Sequence, residues 1–253
     1  MKDKIARAIR ETELEHGVRV LFACESGSRA WGFESVNSDY DVRFLYVRPV
    51  AGYLTVLPHR DVIEAMLPDD SDLAGWDLRK TLQLLTKSNP SLFEWFSSPI
   101  VYAQDAAFVE EFRDIADRWY STRRIFMHYL HMAQGNWLGY LQRETVSRKK
   151  YLYVLRPALA CLWLEANRGA VPMEFDTLRH AVVGDSDVAR AIDHLVEAKR
   201  AGEELAAGPP DPTLHRFLAA ELERLHEVKW KDAEPPEFAE LDRFLFRWSS
   251  LTG

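Results

Sequence analysis

The sequence has little cysteine and no excess of positive charge. Only 2 of its 253 residues are cysteine. Neither Cys24 nor Cys161 has neighbours at metal-ligand spacing, so we expect two reduced core thiols and neither a disulfide framework nor a zinc site. The formal net charge of −7 gives bulk electrostatics no reason to attract nucleic acid, so any such contact needs a local basic patch.

Long apolar runs are also missing. No segment approaches the roughly 18 consecutive apolar residues of a membrane span, and the charged N-terminus does not read as a signal peptide. The composition is 47% hydrophobic and 12% aromatic, which argues for a folded core and against disorder. We therefore expect a cytoplasmic protein that does not partner a membrane.

What is present is a short α/β pattern near the N-terminus. An amphipathic helix is predicted over 2–16 because its apolar residues recur at helical spacing. Strands are predicted at 18–24, 41–47 and 61–67, where short apolar runs end at turn residues. After Tyr102 we find no convincing strand, only helical patterns separated by Gly and Pro breaks.

This change of pattern predicts an α+β fold in two domains. The first, residues 1–103, combines a small mixed β-sheet with flanking helices. The second, residues 104–253, is all helical. A chain of 253 residues is long enough for one or two domains. The predicted boundary near residue 103 therefore depends on the change of pattern alone.

The most informative stretch surrounds two acids at the start of the second strand. Asp39 and Asp41 are two residues apart, so strand geometry puts both carboxylates on one face, with Arg43 next in line. Their mutual repulsion calls for a compensating cation. Carboxylate pairs of this kind suit Mg²⁺, or Mn²⁺, which takes oxygen ligands and leaves positions for water and phosphate.

A glycine and a serine directly follow the first strand. Gly27 allows a tight turn and the close approach of a ligand. If a helix begins near Ser28, its free N–H groups form an anion site, to which Arg29 adds charge. Anion and cation sites side by side are the layout for metal-assisted phosphoryl or nucleotidyl transfer.

These residues resemble a known family. Gly27-Ser28 followed by Asp39-Tyr40-Asp41 looks like the signature of the DNA polymerase β nucleotidyltransferase superfamily. The stretches ESGSRAWGFES, SDYDVRF, DLAGWDLRKTLQLLTKSNPSLFEWFSSPIVY and RKKYLYVLRPALAC are similar to its RNA-ligase-associated branch, the YcgL-type or RlaP proteins. The resemblance covers residue 18 to about residue 165.

The resemblance implies a metal site of three acids, two from Asp39 and Asp41 and one from a later strand. Asp77 is our first choice for the third acid, and Asp72 and Glu64 are its rivals, because sequence does not fix the register of that strand. Asp77 also has a structural alternative as the N-cap of the following helix.

Several cations are candidates for contact with a nucleotide. Arg43 follows the paired acids, and Lys80, like Arg79, lies at a helix start, where positive charge is unfavourable without an anion. Lys149, Tyr153 and Arg156 share one helical face in a basic cluster. Solvated surface charge is an equally good account of each, and we expect packing or exposure, not metal binding, for two histidines in HYLHMA.

The expected function is an enzyme that moves a nucleotidyl group, AMP from ATP, to a hydroxyl with release of pyrophosphate, using two metal ions. The acceptor stays open between an RNA end, a protein hydroxyl and a small molecule. The alternative is a non-catalytic module of the same fold that senses nucleotide or binds a protein partner. Four retained site residues (Gly27, Ser28, Asp39 and Asp41) favour the enzyme.

Overall fold

The computed structural model describes residues 1–67, 71–202, 207–231 and 234–251. Its strands are β1 (Arg19–Glu25), β2 (Asp41–Val47), β3 (Val62–Met66), β4 (Asp72–Asp77), β5 (Val101–Gln104), β6 (Val146–Ser147) and β7 (Ala207–Gly208). Its α-helices are α1 (Lys2–His16), α2 (Gly27–Trp31), α3 (Val50–Tyr53), α4 (Leu78–Thr86), α5 (Pro90–Phe96), α6 (Ala106–Trp119), α7 (Thr122–Asn136), α8 (Lys149–Glu165), α9 (Phe175–Val182), α10 (Asp187–Arg200), α11 (Pro212–Leu225) and α12 (Ala239–Ser250), and a π-helical turn covers Trp137–Leu141.

Five strands form one mixed sheet in the order β3-β4-β2-β1-β5. Strand β2 runs parallel to β4, while the other neighbours in this sheet are antiparallel. A parallel pair needs a crossover, and here β3 provides it, since the chain leaves β2, forms β3 at the edge and returns through β4. The strands β6 and β7 form a separate two-stranded ribbon.

The five-stranded sheet has an apolar cluster on each face. Side chains alternate along β2, so Phe44 and Tyr46 enter one cluster and Leu45 and Val47 the other. The first cluster is completed by α1, through Ile5, Ala8 and Ile9. The second is completed by aromatic and aliphatic residues of α4, α5, α6 and α12, among them Leu82, Trp95, Phe108, Phe112, Phe244 and Trp248. Burial on both faces explains why β1 and β2 read as nearly continuous apolar runs.

Contacts divide the chain into two units. Unit 1 consists of Met1–Gly27, Asp39–Tyr120 and the C-terminal segment that carries α12. Unit 2 consists of Ser28–Ser38 and the segment that carries α7 to α11, in which α7 packs on α8.

These bounds differ from the predicted ranges 1–103 and 104–253. Helix α6 belongs with the sheet because Phe112 stacks on Phe96, which stacks on Phe22 of β1. The loop after α2 belongs with the helices because the Phe33 ring contacts Phe175 edge-on.

The predicted fold class is confirmed: a mixed sheet with flanking helices and helices towards the C-terminus. The three predicted strands match β1, β2 and β3 closely, and each of the helical patterns after Tyr102 has a helix. The prediction missed β4, where Gly75 interrupts the apolar alternation. A Cβ at Gly75 would lie 2.2 Å from the Phe44 ring, so glycine makes room for that ring. It also missed β5 and the short ribbon.

Among the residues described, no helix combines the length and the apolar character that crossing a membrane requires. Cys24 and Cys161 are both buried free thiols, and burial raises the pKa of each above its ordinary value.

Candidate functional site

Acidic residues approach one another where β2 and β4 begin. The parallel register puts Asp41 directly beside Asp72, each the first residue of its strand. Asp39 lies two residues before Asp41 and is exposed. Burial raises the pKa of Asp41, the nearby charges of Asp72 and Asp39 raise it further, and Arg43 opposes them. The Asp41 carboxylate therefore interacts electrostatically with each of the other two.

A guanidinium group bridges two of these acids. The Arg43 Nη2 atom lies 3.1 Å from Asp41 Oδ1 and 2.9 Å from Asp72 Oδ2, and Arg43 Nη1 donates to the Asp72 carbonyl oxygen at 3.3 Å. In the described ranges, no three Asp, Glu, His or Cys side chains form a group that could hold a metal ion as they stand. Asp41 and Asp72 hold the Arg43 guanidinium between them. Carboxylate oxygens are also the ligands that Mg²⁺ and Mn²⁺ prefer.

The backbone of Asp41 is fixed by the residues that follow β1. Its N–H donates to Glu25 Oε1 at 2.8 Å, and its carbonyl accepts from the Ser26 N–H at 2.8 Å. Glu25 is fully buried, and its Oε2 accepts from the Tyr102 hydroxyl. A buried carboxyl group is costly unless it is hydrogen-bonded. Glu25 meets this condition while it holds the start of β2.

Gly27 makes room for the Asp41 carboxylate. Its φ is +59°, and a Cβ built on it would lie 2.0 Å from Asp41 Oδ2. Most L-residues avoid this left-handed conformation, and none could place a Cβ so close to the oxygen without moving it. Two independent constraints therefore require glycine at this position.

Comparison with known proteins shows the family of the chain. Residues 1–247 match the model of a family described as "RlaP: RNA repair pathway DNA polymerase beta family". The chain belongs to the RlaP family. This confirms the resemblance seen in the sequence.

One relative is the uncharacterized protein YcgL of Bacillus subtilis (strain 168). It is 42% identical over 247 residues, which are 97% of this chain and 95% of that protein. A solved nucleotidyltransferase-like protein from Exiguobacterium sibiricum 255-15 aligns with 87% of this chain and 74% of its own, at 13% identity and a TM-score of 0.34.

The structure changes the choice of third acid in this RlaP chain. Asp77 lies beside Tyr46 at the other end of β4, five residues and about 16 Å from Asp72 at the usual strand rise. It is therefore not brought together with Asp39 and Asp41 and cannot share a metal ion with them in this arrangement. Glu64 is exposed on β3 and pairs with Arg60. Asp72, one of the two rivals, is the acid that lies beside Asp41.

Asp77 has the structural role considered for it. Its Oδ1 accepts from the Arg79 N–H at 2.8 Å, so it caps α4, and the Tyr53 hydroxyl donates to its Oδ2 at 3.1 Å. Burial raises the pKa of Asp77, and its hydrogen bonds and the charge of Arg48 partly offset this increase. Lys80 shares this end of β4 and pairs with Asp61 at 3.2 Å. The structure therefore does not bring Lys80 to the acids at Asp41.

The three predicted nucleotide contacts of α8 all belong to unit 2. Lys149 is exposed, and Tyr153 meets the Trp31 ring edge-on with centroids 6.4 Å apart. Arg156 is buried, its guanidinium lies 4.8 Å from the centre of the Trp31 ring, and it donates to the Met173 carbonyl at 3.2 Å. Arg156 therefore packs inside unit 2, while contacts of Lys149 and Tyr153 with a nucleotide stay predictions.

Ser28 and Arg29 follow Gly27 within α2, a helix of five residues. The helix start is where the sequence predicted it. Arg29 donates to the Ser38 carbonyl at 2.6 Å, and the Ser28 carbonyl accepts from the Phe33 N–H at 3.1 Å. Both contacts organise the loop of residues 28–38, and the predicted phosphate contacts of the two side chains stay predictions.

Sequence reasoning missed Glu25 and Tyr102. A signal was available for Glu25, because a carboxyl group at the end of a continuous apolar strand predicts either an exposed strand end or a buried partner. The partner, Tyr102, is 77 residues away in the chain and lies on β5, a strand that the sequence did not predict as such.

Proposed function

We propose that this protein is a metal-dependent nucleotidyltransferase that transfers AMP from ATP to a hydroxyl acceptor and releases pyrophosphate. The observation that carries the proposal is the parallel register of β2 and β4, which places Asp72 beside Asp41. With Asp39, these residues would hold Mg²⁺ or Mn²⁺. When bound, the metal ions polarise the α-phosphate and neutralise charge on the departing pyrophosphate.

The residues of the chain have separate roles in this proposal. Gly27 leaves the Asp41 carboxylate room to face a ligand, and Glu25 keeps the backbone of Asp41 in place. The contacts of Ser28 and Arg29 with the phosphates remain predictions from their place directly after Gly27 in the sequence. The acceptor oxygen attacks the α-phosphorus as the bond to the β-phosphate oxygen breaks, and pyrophosphate leaves with the electron pair. Asp72, the third acid, begins β4 and takes the acceptor proton.

Arg43 needs a role of its own, because its guanidinium lies between the two acids. In our proposal it neutralises Asp41 and Asp72 before a metal ion binds, and then turns towards the nucleotide phosphates. Before the metal ion binds, the positive charge of Arg43 offsets the repulsion between the two carboxylates; after it binds, the metal ion does so.

We propose an RNA end as the acceptor, over a protein hydroxyl or a small molecule, because the family description names RNA repair. The Arg43 bridge favours the second candidate, a nucleotide-sensing module without catalysis, since there the guanidinium would remain between the acids. The two candidates differ in whether label from ATP becomes covalently attached to another molecule.

The test uses the four NTPs, each labelled at the α-phosphate, with Mg²⁺ or Mn²⁺. Acceptors are RNA oligonucleotides with hydroxyl or phosphate at either end, a protein extract and a small-metabolite extract. We expect transfer of label from ATP to RNA bearing a 3′-hydroxyl. Transfer to protein or to small molecules would correct the acceptor alone, and binding of ATP without any transfer would support the sensing module.

The variants Asp41→Asn and Asp72→Asn should each abolish transfer. Glu64→Gln is the matched control, because this acid lies on the neighbouring strand β3 and is exposed. It should retain activity. Loss of transfer in Glu64→Gln with activity kept in Asp72→Asn would show that Glu64 is the third acid.

A further inference from the structure

Unit 1 has a concave site at the end of β4 away from Asp41. It is a cavity of about 350 Å³, within the range of small-molecule sites. Residues from three parts of unit 1 surround it: the region of α3, the loop before β3 and the first turns of α4. They are Arg48, Gly52, Tyr53, Thr55, Pro58, His59, Arg60, Asp61, Asp77, Arg79, Lys80 and Gln83.

The cavity is positively charged in an acidic protein. Four of its lining residues are cationic and two carry a carboxylate. Arg60 also pairs with Glu64, which lies outside the lining, so the excess is one positive charge with the histidine neutral. The whole chain has a net charge of −7, so this excess is local. Positive charge concentrated in a concave surface raises the local concentration of anions.

Two of the guanidinium groups are held in place before any ligand binds. Arg79 lies over the Tyr53 ring, 4.7 Å from its centre, and donates to the Tyr53 carbonyl at 3.1 Å. Arg48 lies over the Tyr46 ring at 5.4 Å, and its Nε is 3.7 Å from Asp77 Oδ2. Stacking and carbonyl contacts fix these groups while using few of their five donors each.

Asp77 and Asp61 offset only part of this positive charge, through Arg48 and Lys80. Asp77 is occupied at the start of α4 by the Arg79 N–H and by the Tyr53 hydroxyl. Asp61 pairs with Lys80 at 3.2 Å, but half of its side chain is exposed, so solvent screens this pair and an anion can compete for the ammonium group.

We propose that this cavity binds the phosphate group of an anionic ligand. Arginine forks match phosphate oxygens in two-point contacts, and a lysine adds a point charge. The site lies about 16 Å along β4 from Asp72, from the strand rise, so it is distinct from the acids of the proposed catalytic site. Its ligand is either a small phosphorylated molecule or the terminal phosphate of a nucleic acid strand.

The first experiment measures the binding of inorganic pyrophosphate by calorimetry in EDTA. EDTA removes metal-bridged binding of the probe near Asp41, and the loss of binding in variants of the cavity residues assigns the remainder to the cavity. We expect Arg79→Gln and Lys80→Gln each to weaken binding by about tenfold, one charge-assisted contact. The control Arg113→Gln, an exposed arginine of α6 outside the cavity, should bind as the wild type does.

A second variant separates ligand binding from structural effects. Asp61→Asn frees Lys80 from its partner, so pyrophosphate should bind severalfold more tightly, a gain that a loss of structure does not produce. Lys80→Gln, at a side chain that is 26% exposed, keeps the test valid if Arg79→Gln fails to fold. Equal affinity in wild type, Lys80→Gln and Asp61→Asn, or no binding by the wild type, would overturn the proposal.

A third arm identifies the source of the phosphate. An RNA trinucleotide with a 5′-phosphate is compared with the same trinucleotide bearing a 5′-hydroxyl, again in EDTA. Tighter binding of the phosphorylated form that is lost in Lys80→Gln supports a strand terminus, and binding no tighter than that of pyrophosphate supports a small molecule. Equal binding of the two trinucleotides, with pyrophosphate binding that Lys80→Gln weakens, likewise supports a small molecule; equal binding of the trinucleotides with pyrophosphate binding that Lys80→Gln does not change would count against the cavity as a phosphate site.

Discussion

Replacing Gly27 by alanine should displace the Asp41 carboxylate. The new Cβ would lie 2.0 Å from Asp41 Oδ2 and 2.9 Å from its Cγ. Since real Cβ contacts do not fall below 3.0 Å, the carboxylate must move by at least about 1 Å, and displacements of this size can reduce turnover by about 100-fold. The left-handed φ adds a backbone cost of about 1–2 kcal/mol.

Gly17 offers a matched control for the backbone effect. It ends α1 with the same φ of +59°, and a Cβ there would meet nothing within 4 Å. Gly17→Ala should therefore lose a similar amount of stability, a melting temperature lower by a few degrees for a chain of this size. It should keep the metal affinity and the turnover of the wild type.

The assay compares Mn²⁺ affinity by calorimetry, nucleotidyl transfer and the melting temperature in the two variants. We expect both to lose stability and Gly27→Ala alone to lose metal affinity and turnover. If Gly27→Ala bound Mn²⁺ and turned over as Gly17→Ala does, the close approach of Gly27 to Asp41 would have no part in the site.

Three further results are expected. Because folding raises the pKa of Asp41 above its ordinary value of 3.8, this carboxyl group favours the folded state when protonated, and that contribution is lost as the pH rises through the folded-state pKa. Without metal, Asp41→Asn should then melt higher than the wild type at about pH 7, with a smaller difference at about pH 4; equal differences at both would refute the linkage. Glu25→Gln should weaken Mn²⁺ binding several-fold, because the amide cannot accept both of the hydrogen bonds that the carboxylate accepts. Glu94→Gln, at another buried glutamate, should not, and equal losses in both would leave Glu25 with a structural role only. Asp77→Ala should lower stability by about 1 kcal/mol, the value of a helix cap, and keep transfer activity; loss of transfer at unchanged stability would return Asp77 to the site.

Most of the sheet and the two acids of β2 could be predicted because their signals are local. Four residues of the run 41–47 are β-branched or aromatic (Val42, Phe44, Tyr46 and Val47). The two acids before and at its start share a face by simple alternation. The glycine after β1 was predictable for the same reason, since it directly follows a buried strand.

The third acid could not be predicted because it depends on register. Asp72 and Asp77 are the two ends of one six-residue strand, and only the pairing with β2 decides which of them lies beside Asp41. The sequence predicts Asp77 as a helix N-cap, which the structure confirms. A role as a helix cap does not say which residue of the sheet Asp77 lies beside. The roles of Glu25 and Arg156 were missed for a related reason, since their contacts join residues far apart in the sequence.

The C-terminal helix α12 has a consequence for how unit 1 folds. Its Phe244 and Trp248 pack against Phe108 of α6, so residues about 140 positions apart in the chain share one apolar cluster. During synthesis, the sheet and α6 leave the ribosome well before the helix that covers them, and apolar surface of α6 stays open until then. Partly completed chains with such surface are prone to aggregate, which makes this the stage of synthesis at which the protein would depend most on a chaperone.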